Sequence, residues 1–169
     1  MTARGQVLAS VQRFPGIHVR ELERSLGLSD RLAHYHLQQL VADGTVQLVE
    51  DHGFTRCFPA ATRPRWSARD VAFLCLLRRD VAFRITVLLL DGPMAHGHMA
   101  KRLGLAKAST SYHLGDLRAA GVLDVEAVGR ERHYRLADPA YVRGMLANFT
   151  PVPEDHDAFT GLLKDLVGG

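Results

Sequence analysis

The 169-residue sequence lacks the features that mark membrane-spanning and secreted chains. No apolar run reaches the roughly 18 residues that a membrane-spanning helix requires. The longest candidate, residues 81–90, is interrupted by Arg84. The N-terminal residues include Arg4 but no apolar signal-peptide core. We therefore expect a cytoplasmic protein without membrane association.

Cysteine is also scarce, and the motifs of common enzyme classes are missing. The two cysteines, Cys57 and Cys75, are isolated and match no disulfide or zinc-site spacing. The sequence has no glycine-rich phosphate loop, no paired catalytic carboxylates and no nucleophile motif. These absences predict a protein that is not an enzyme and that has no cofactor.

What remains is the composition of a folded, mildly basic protein. Hydrophobic residues make up 47% of the chain, which is typical of globular domains, and the length allows one or two domains. The net charge is +3 and the sequence pI is near 9.1. This charge is compatible with binding to nucleic acid but does not by itself indicate it.

One pattern occurs twice in the chain. It consists of Leu-Gly-Leu, six further residues, Tyr-His-Leu, and then a Leu and a Gly at fixed spacing. The first copy spans residues 26–44 and the second spans 103–121, so every matching pair is 77 positions apart. Two copies are too few for a solenoid. The repeat therefore predicts two similar small domains.

Each copy predicts two helices joined by a short turn. In the first copy, Val19, Leu22 and Leu26 have the spacing of one helical face. Gly27 then ends that helix, and Ser29 caps the next. The inward residues of the second helix are predicted to be Ala33, Leu37, Leu40 and Val41, and those of its counterpart Thr110, Leu114 and Leu117.

A β-hairpin is predicted after each helix pair, because alternating segments flank turns at 51–53 and 129–130. A helix-turn-helix followed by such a hairpin is a winged helix. Further helices are predicted at 2–14 and 79–90, from Ser67 to Leu77, after Asp138, and at 154–167. The sequence thus predicts a mainly α fold with small β-hairpin wings. The expected division is 1–62, a linker and connecting helix at 63–78, then 79–138, and C-terminal helices at 139–169.

These repeated residues resemble a known family. The pattern His-Leu-x-x-Leu-x-x-x-Gly stands at 36–44 and again at 113–121, each time followed by a wing. The chain resembles tandem winged helix-turn-helix transcription regulators of the ArsR and MarR type, over roughly residues 4–60 and 67–137. The resemblance implies a sequence-specific regulator that binds double-stranded DNA through two heads.

Geometry assigns candidate DNA contacts, because the second helix of a helix-turn-helix enters the major groove and the wing meets the backbone. Arg31 is suited to guanine and Gln38 to adenine. The candidates in the first copy are Ser29, Arg31, His34, Tyr35, Gln38 and the wing residue Arg56. Those in the second copy are Lys107, Ser109, Ser111, Tyr112 and the wing residues Arg130 and Arg132.

Charge distinguishes the two copies. Residues 29–56 contain two basic and four acidic residues, whereas residues 106–133 contain four of each. Glu50 and Asp51 stand at the first wing tip, and Arg130 and Arg132 at the second. We therefore expect the second copy to be the stronger DNA reader.

Several questions stay open from the sequence. No metal site is expected, because histidines two positions apart on a helix, such as His34 and His36, point to different faces. In addition, no carboxylate or thiol cluster stands near them in sequence. His36 and His113 are expected to be half-buried and hydrogen-bonded within the motif.

The C-terminal helices are expected to cover the chain's own core or to form a homodimer. The main alternative to a regulator is a tandem winged-helix scaffold that binds protein in a chromosome-organising or transcription complex.

Overall fold

The computed structural model describes residues 1–60 and 66–149. Among these residues the chain forms two compact units, Met1–Cys75 together with Phe149, and Leu76–Asn148. Both units are mostly helical and carry a small antiparallel hairpin. The expected fold class, mainly α with β-hairpin wings, is confirmed at this level.

The first unit has the element order of a winged helix. Its elements are α1 (Ala3–Arg13), β1 (Ile17–His18), α2 (Val19–Leu26), α3 (Asp30–Ala42), β2 (Val46–Asp51) and β3 (Phe54–Pro59), and α4 (Ala68–Leu77) follows. Strands β2 and β3 pair antiparallel from Val46–Pro59 to Asp51–Phe54. Strand β1 adds to the other edge of β3, where Ile17 pairs with Cys57. The wing is thereby joined to the chain segment that leads into α2.

The core of the first unit uses the apolar positions that the sequence predicts. Ala33, Leu37 and Leu40 on α3 are buried, and the rest of the cluster includes Val7, Val11, Ile17, Leu22, Val46 and Cys57. Val41 was expected to face inward but is 39% exposed. It follows Leu40 by one residue, which turns it about 100° away from the buried stripe.

Arg56 was expected in the wing as a DNA contact, and the structure places it in the interior instead. Its side chain is buried, and Nε donates to Asp51 Oδ2 at 2.7 Å. Its Nη1 donates to the carbonyl oxygen of Gly16 at 3.1 Å. A guanidinium that is occupied and buried in this way cannot reach a phosphate. Arg56 therefore links the wing to the turn before β1, and Asp51 compensates its charge.

The second unit contains the same order of elements. They are α5 (Asp80–Leu88) with a 3-10 turn (Leu89–Asp91), β4 (Met94–Ala95), α6 (His96–Leu103), α7 (Lys107–Ala119), β5 (Leu123–Val128), β6 (Glu131–Leu136) and α8 (Pro139–Asn148). The strand order is β4-β6-β5. Met94 pairs with Tyr134, the positions that lie 77 residues after the paired Ile17 and Cys57. The repeat spacing is therefore preserved in the register of the sheet.

The turn between the paired helices depends on glycine in both units. Gly27 has φ 63° and Gly104 has φ 68°, which is the left-handed region where a side chain is strained. In the first unit, the Ser29 hydroxyl accepts from the Leu32 amide at 3.4 Å and caps α3. The predicted inward residues Thr110, Leu114 and Leu117 of α7 are buried.

His36 and His113 occupy equivalent positions and are half-buried, as expected. The expected hydrogen bond is missing, because Nδ1 of each ring has no partner among residues 1–60 and 66–149. Each ring instead lies edge-on to the ring of the tyrosine before it. The ring centroids are 5.4 Å apart for Tyr35 and His36 and 5.2 Å apart for Tyr112 and His113. Burial lowers the pKa of His113 below its ordinary value of 6.5, so the second unit favours the neutral ring.

The connecting helix begins with a capping box. The Ser67 amide donates to Asp70 Oδ2 at 2.8 Å, and the Asp70 amide donates to Ser67 Oγ at 3.1 Å. Just before it, Trp66 donates from Nε1 to the carbonyl of Pro59 at 2.8 Å. Its ring lies edge-on to Phe58, so Trp66 covers the end of the first unit's sheet.

The C-terminal expectations are met only in part. Asp138 caps α8 by accepting from the Tyr141 amide at 3.0 Å, and Val142 and Met145 are buried. Residues 61–65 of the predicted linker and the predicted helix at 154–167 lie outside the described residues. No helix within residues 1–60 and 66–149 has the length and apolar content to cross a membrane.

The left-handed φ of Gly104 predicts that alanine substitutions at two glycines of the second unit have opposite effects on stability. We expect Gly104→Ala to lower the free energy of unfolding by about 1 kcal/mol, because alanine is strained at its φ. Gly115 lies inside α7 without a positive φ, and an added Cβ there meets open space. Gly115→Ala should therefore raise stability by about 0.5–1 kcal/mol. Urea unfolding measures both, and changes of the same sign would contradict the assigned turn.

The buried Arg56–Asp51 pair predicts a large stability loss. Its side chains are only 2% and 12% exposed, so Asp51→Ala should cost about 3 kcal/mol by leaving a buried charge uncompensated. Asp124 pairs with Arg135 at the surface, at 3.5 Å, and Asp124→Ala should cost less than about 0.5 kcal/mol. Equal losses in chemical denaturation would show that Arg56 is not held as described.

Candidate functional site

The outward face of α3 carries most of the candidate residues of the first unit. Arg31, Tyr35 and Gln38 are exposed and follow the helical spacing of one face. Tyr35 is 56% exposed, so most of its ring remains accessible on this face. The Ser29 hydroxyl, by contrast, is engaged in capping, so its contribution to the site is to orient the first turn of α3.

The outward face of α7 presents the equivalent residues of the second unit. Lys107, Ser109, Ser111 and Tyr112 are all exposed. Ala106 precedes α7 and provides no side-chain cap for the amides of the first turn. Open amides and the helix dipole make such an N-terminus favourable for an anion.

A groove brings this helix start together with the second wing. It has a volume of about 420 Å3 and is lined by His96, Gly97, Lys107, Ser111, Arg130, Glu131, Arg132 and Tyr134. Within it, His96 Nε2 lies 2.9 Å from Ser111 Oγ. None of its three Lys and Arg side chains pairs with a carboxylate of the described residues. The groove therefore brings together four of the predicted DNA contacts of the second copy, and three of them are cationic.

An equivalent groove exists in the first unit but has different chemistry. It has a volume of about 320 Å3 and is lined by His18, Val19, Arg20, Glu23, Asp30, His34, Gly53, Phe54 and Thr55. Across the 77-residue offset, Asp30 corresponds to Lys107 and Gly53 to Arg130. The same place in the fold is thus acidic in one unit and basic in the other.

The wing of the first unit is less charged at its surface than the sequence indicates. Asp51 is engaged by the buried Arg56, and its side chain is 12% exposed. Glu50 remains exposed and accepts from the Thr55 hydroxyl at 2.7 Å. The wing of the second unit has Arg130 and Arg132 exposed, and its Glu131 lies 3.5 Å from His133.

Sequence reasoning missed one cluster in the first groove. Ligand atoms of Glu23, Asp30 and His34 lie within 4.8 Å of one another. The signal was present, because Asp30 and His34 are four residues apart on one helical face. Glu23 comes from α2, and only the helix-turn-helix geometry brings it to them. The expectation of no metal site rested on the spacing of the histidine pairs and on the lack of a carboxylate or thiol cluster nearby in sequence.

Cys57 is fully buried in β3 at the position of Tyr134 in β6. Burial raises the pKa of its thiol to about 12. A thiol that stays protonated is a poor nucleophile. Cys57 is therefore a small core residue of the first unit.

Comparisons with known proteins find a family match within the first part of the chain. Residues 1–69 match a family model described as an N-terminal HTH domain. The HTH-type transcriptional regulator CmtR of Mycobacterium bovis is 40% identical over 62 residues, which are 37% of this chain and 52% of that protein. CmtR of Mycobacterium tuberculosis gives the same figures. The chain thus spans about half the length of the curated relatives that it matches.

Solved structures give weaker likenesses. HlyU from Vibrio cholerae has 23% identity and a TM-score of 0.44, covering 49% of this chain and 94% of that one. The repressor BigR from Xylella fastidiosa has 22% identity and a TM-score of 0.41, covering 46% and 83%. At these scores no further conclusion follows. The sequence matches and the observed fold together confirm that this chain resembles winged helix-turn-helix transcription regulators, with a helix-turn-helix domain in residues 1–69.

Proposed function

We propose that this chain is a sequence-specific, double-stranded DNA-binding transcription regulator with two winged helix-turn-helix heads. The single observation that carries the proposal is the cationic groove between α7 and the second wing. It joins the start of a candidate recognition helix to the Arg130 and Arg132 side chains. A winged helix-turn-helix places these two elements against the major groove and the neighbouring backbone.

The charge of this groove favours a phosphate backbone as its ligand. Lys107, Arg130 and Arg132 are exposed around one cavity, and the α7 N-terminus adds amide donors. Binding phosphates with such groups releases counterions, which gives affinity that falls steeply with salt. Ser111 supplies a hydroxyl for a further backbone or water-mediated contact.

Sequence recognition is assigned to the exposed faces of the two recognition helices. On α3, Arg31 is suited to the guanine edge and Gln38 to the adenine edge, and both are exposed. On α7, Lys107 is suited to guanine, and Ser109 and Tyr112 flank it. His34 and Tyr35 complete the proposed contacts of the first head, whereas Ser29 acts by capping α3.

The two heads of one chain would bind two DNA half-sites, as the heads of a dimer of single-head subunits do. The equivalent element order and sheet register of the two units support this part of the proposal. Such heads read half-sites about one helical turn apart. Homodimerisation through the C-terminal helices stays a prediction, and Val142 and Met145 of α8 are already buried.

A scaffold that binds protein is the second candidate function. It is favoured by the acidic groove of the first unit, where Glu23 and Asp30 would repel a phosphate. If DNA binding were weak and indifferent to sequence across a salt series, the scaffold would become the better assignment. Nanomolar, sequence-dependent binding would instead support the regulator.

The contrast between the grooves predicts unequal contributions to DNA affinity. We expect Arg130→Ala with Arg132→Ala to weaken binding about tenfold or more and to reduce the log–log salt slope by about 2, because two phosphate contacts are lost. Arg31→Ala should weaken binding less. Fluorescence anisotropy on an enriched operator measures these effects.

Arg135→Ala is the matched control, because Arg135 is exposed on the same strand but lies outside the groove and pairs with Asp124. Its affinity and salt slope should stay unchanged. If Arg31→Ala abolished binding while the double variant bound normally, the ranking of the two heads would be reversed.

A further inference from the structure

An imidazole that is not among the predicted DNA contacts lies inside the groove of the second unit. His96 begins α6 and lines this groove. Its Nε2 lies 2.9 Å from Ser111 Oγ, and its ring centroid is 6.2 Å from that of Tyr134. His96 is half-buried, whereas Ser111 is exposed on α7. The pair therefore joins the two helices of the helix pair at the place where the wing meets them.

The first unit shows that the fold does not require this pair. The position 77 residues before His96 holds Val19, which is buried in the core of the first unit. His34 stands at the position of Ser111. Because the same element order forms with an apolar residue at the start of the first helix, an imidazole that lines the groove calls for an explanation in binding rather than in stability.

The charged groups around His96 are mostly cationic. They come from α7 and the wing, and they are Lys107, Arg130, Glu131 and Arg132. The Oε2 of Glu131 lies 3.5 Å from Nε2 of His133, the residue that pairs with Ala95 on β4. On α5, Arg84 donates to the carbonyl oxygen of Leu103 at the other end of α6. A bound anion would relieve the repulsion among the like charges of the groove and favour one more positive charge there.

Protonation reverses the hydrogen bond between His96 and Ser111. A neutral ring with its proton on Nδ1 accepts at Nε2, so the Ser111 hydroxyl donates its hydrogen to the ring. A charged ring donates from both nitrogens, so Ser111 Oγ becomes the acceptor. The hydrogen of the hydroxyl is then available to a phosphate oxygen. One proton thus changes both the charge of the groove and its set of donors.

We propose that the groove of the second unit is a proton-dependent phosphate site. His96 takes up one proton from the solvent when a phosphate binds, and the Ser111 hydroxyl turns from the ring to the phosphate. The natural ligand, a phosphate diester of DNA, rests on the proposed function. The diester keeps its single negative charge, and no covalent bond forms or breaks other than the N–H bond of the ring. Because binding takes up a proton, DNA affinity rises as the pH falls into the range where imidazoles become charged.

The site is tested first without DNA, by NMR on the isotope-labelled full chain. The His96 ring is titrated in sodium chloride and in sodium sulfate at equal ionic strength, because sulfate presents tetrahedral oxygens and does not itself titrate near neutral pH. We expect the pH midpoint of His96 to be higher in sulfate. His98 is the matched control, because it is exposed on the same helix outside the groove, and its midpoint should not change. Equal midpoints for His96 in the two salts overturn the site.

The consequence is tested by fluorescence anisotropy on an enriched operator at fixed ionic strength. Between about pH 8 and about pH 6, the unaltered chain should gain about tenfold more affinity than His96→Gln, since one proton taken up changes the binding constant by up to about tenfold per pH unit. His113 and His133 titrate in both chains, so the difference isolates His96. His98→Gln should behave as the unaltered chain does, and circular dichroism verifies the fold of each variant.

Ser111→Ala tests the role of the hydroxyl. We expect this variant to lose part of the affinity gained at low pH, because the hydrogen bond that reverses is absent. Combined with His96→Gln, it should cause less additional loss than it causes alone, because the two residues act as one unit. Additive losses would overturn the role of Ser111.

The site and the proposed function fail in different ways. Sequence-specific binding with the same pH dependence in His96→Gln would overturn the proton uptake and leave the proposed function standing. A His96 midpoint that rises in sulfate, in a chain that binds no duplex, would overturn the proposed function and leave the phosphate site standing.

Discussion

The pairing of a two-residue strand with the wing is the constraint on which both candidate sites depend. In the first unit Ile17 and His18 pair with Cys57 and Arg56, and in the second Met94 and Ala95 pair with Tyr134 and His133. Each short strand runs directly into the first helix of the helix pair. The hairpin is therefore held beside the helix starts, and a groove forms between them.

That shared geometry carries opposite chemistry in the two units. A carboxylate at position 30 is replaced by an ammonium group at 107, and the glycine at 53 by a guanidinium at 130. Neither change affects a buried residue, because all four positions are exposed. The backbone determines where a ligand can sit, whereas a few exposed side chains determine its charge. The two grooves can thus differ in function at little cost to stability.

Most of the fold was predictable from the sequence, because its signals are local. Periodicity gave the helices, Gly27 and Ser29 gave their ends, and alternation about a turn gave the hairpins. The candidate site was less predictable, because it depends on contacts between elements. From the sequence, Arg56 was expected to be an exposed wing residue that contacts DNA. Its buried position depends on the pairing of β1 with β3, which brings the carbonyl oxygen of Gly16 to its side chain. Glu23 likewise reaches Asp30 only across the turn between two helices.

The burial of Cys57 links the structure of the first sheet to its local opening. Its thiol is fully buried at the centre of the three-stranded sheet, and burial raises its pKa to about 12. An alkylating reagent can therefore modify it only while the sheet is locally open. The rate of that modification would report how often β3 separates from its neighbours. Cys57 is thus a native chemical probe of local opening in the first wing.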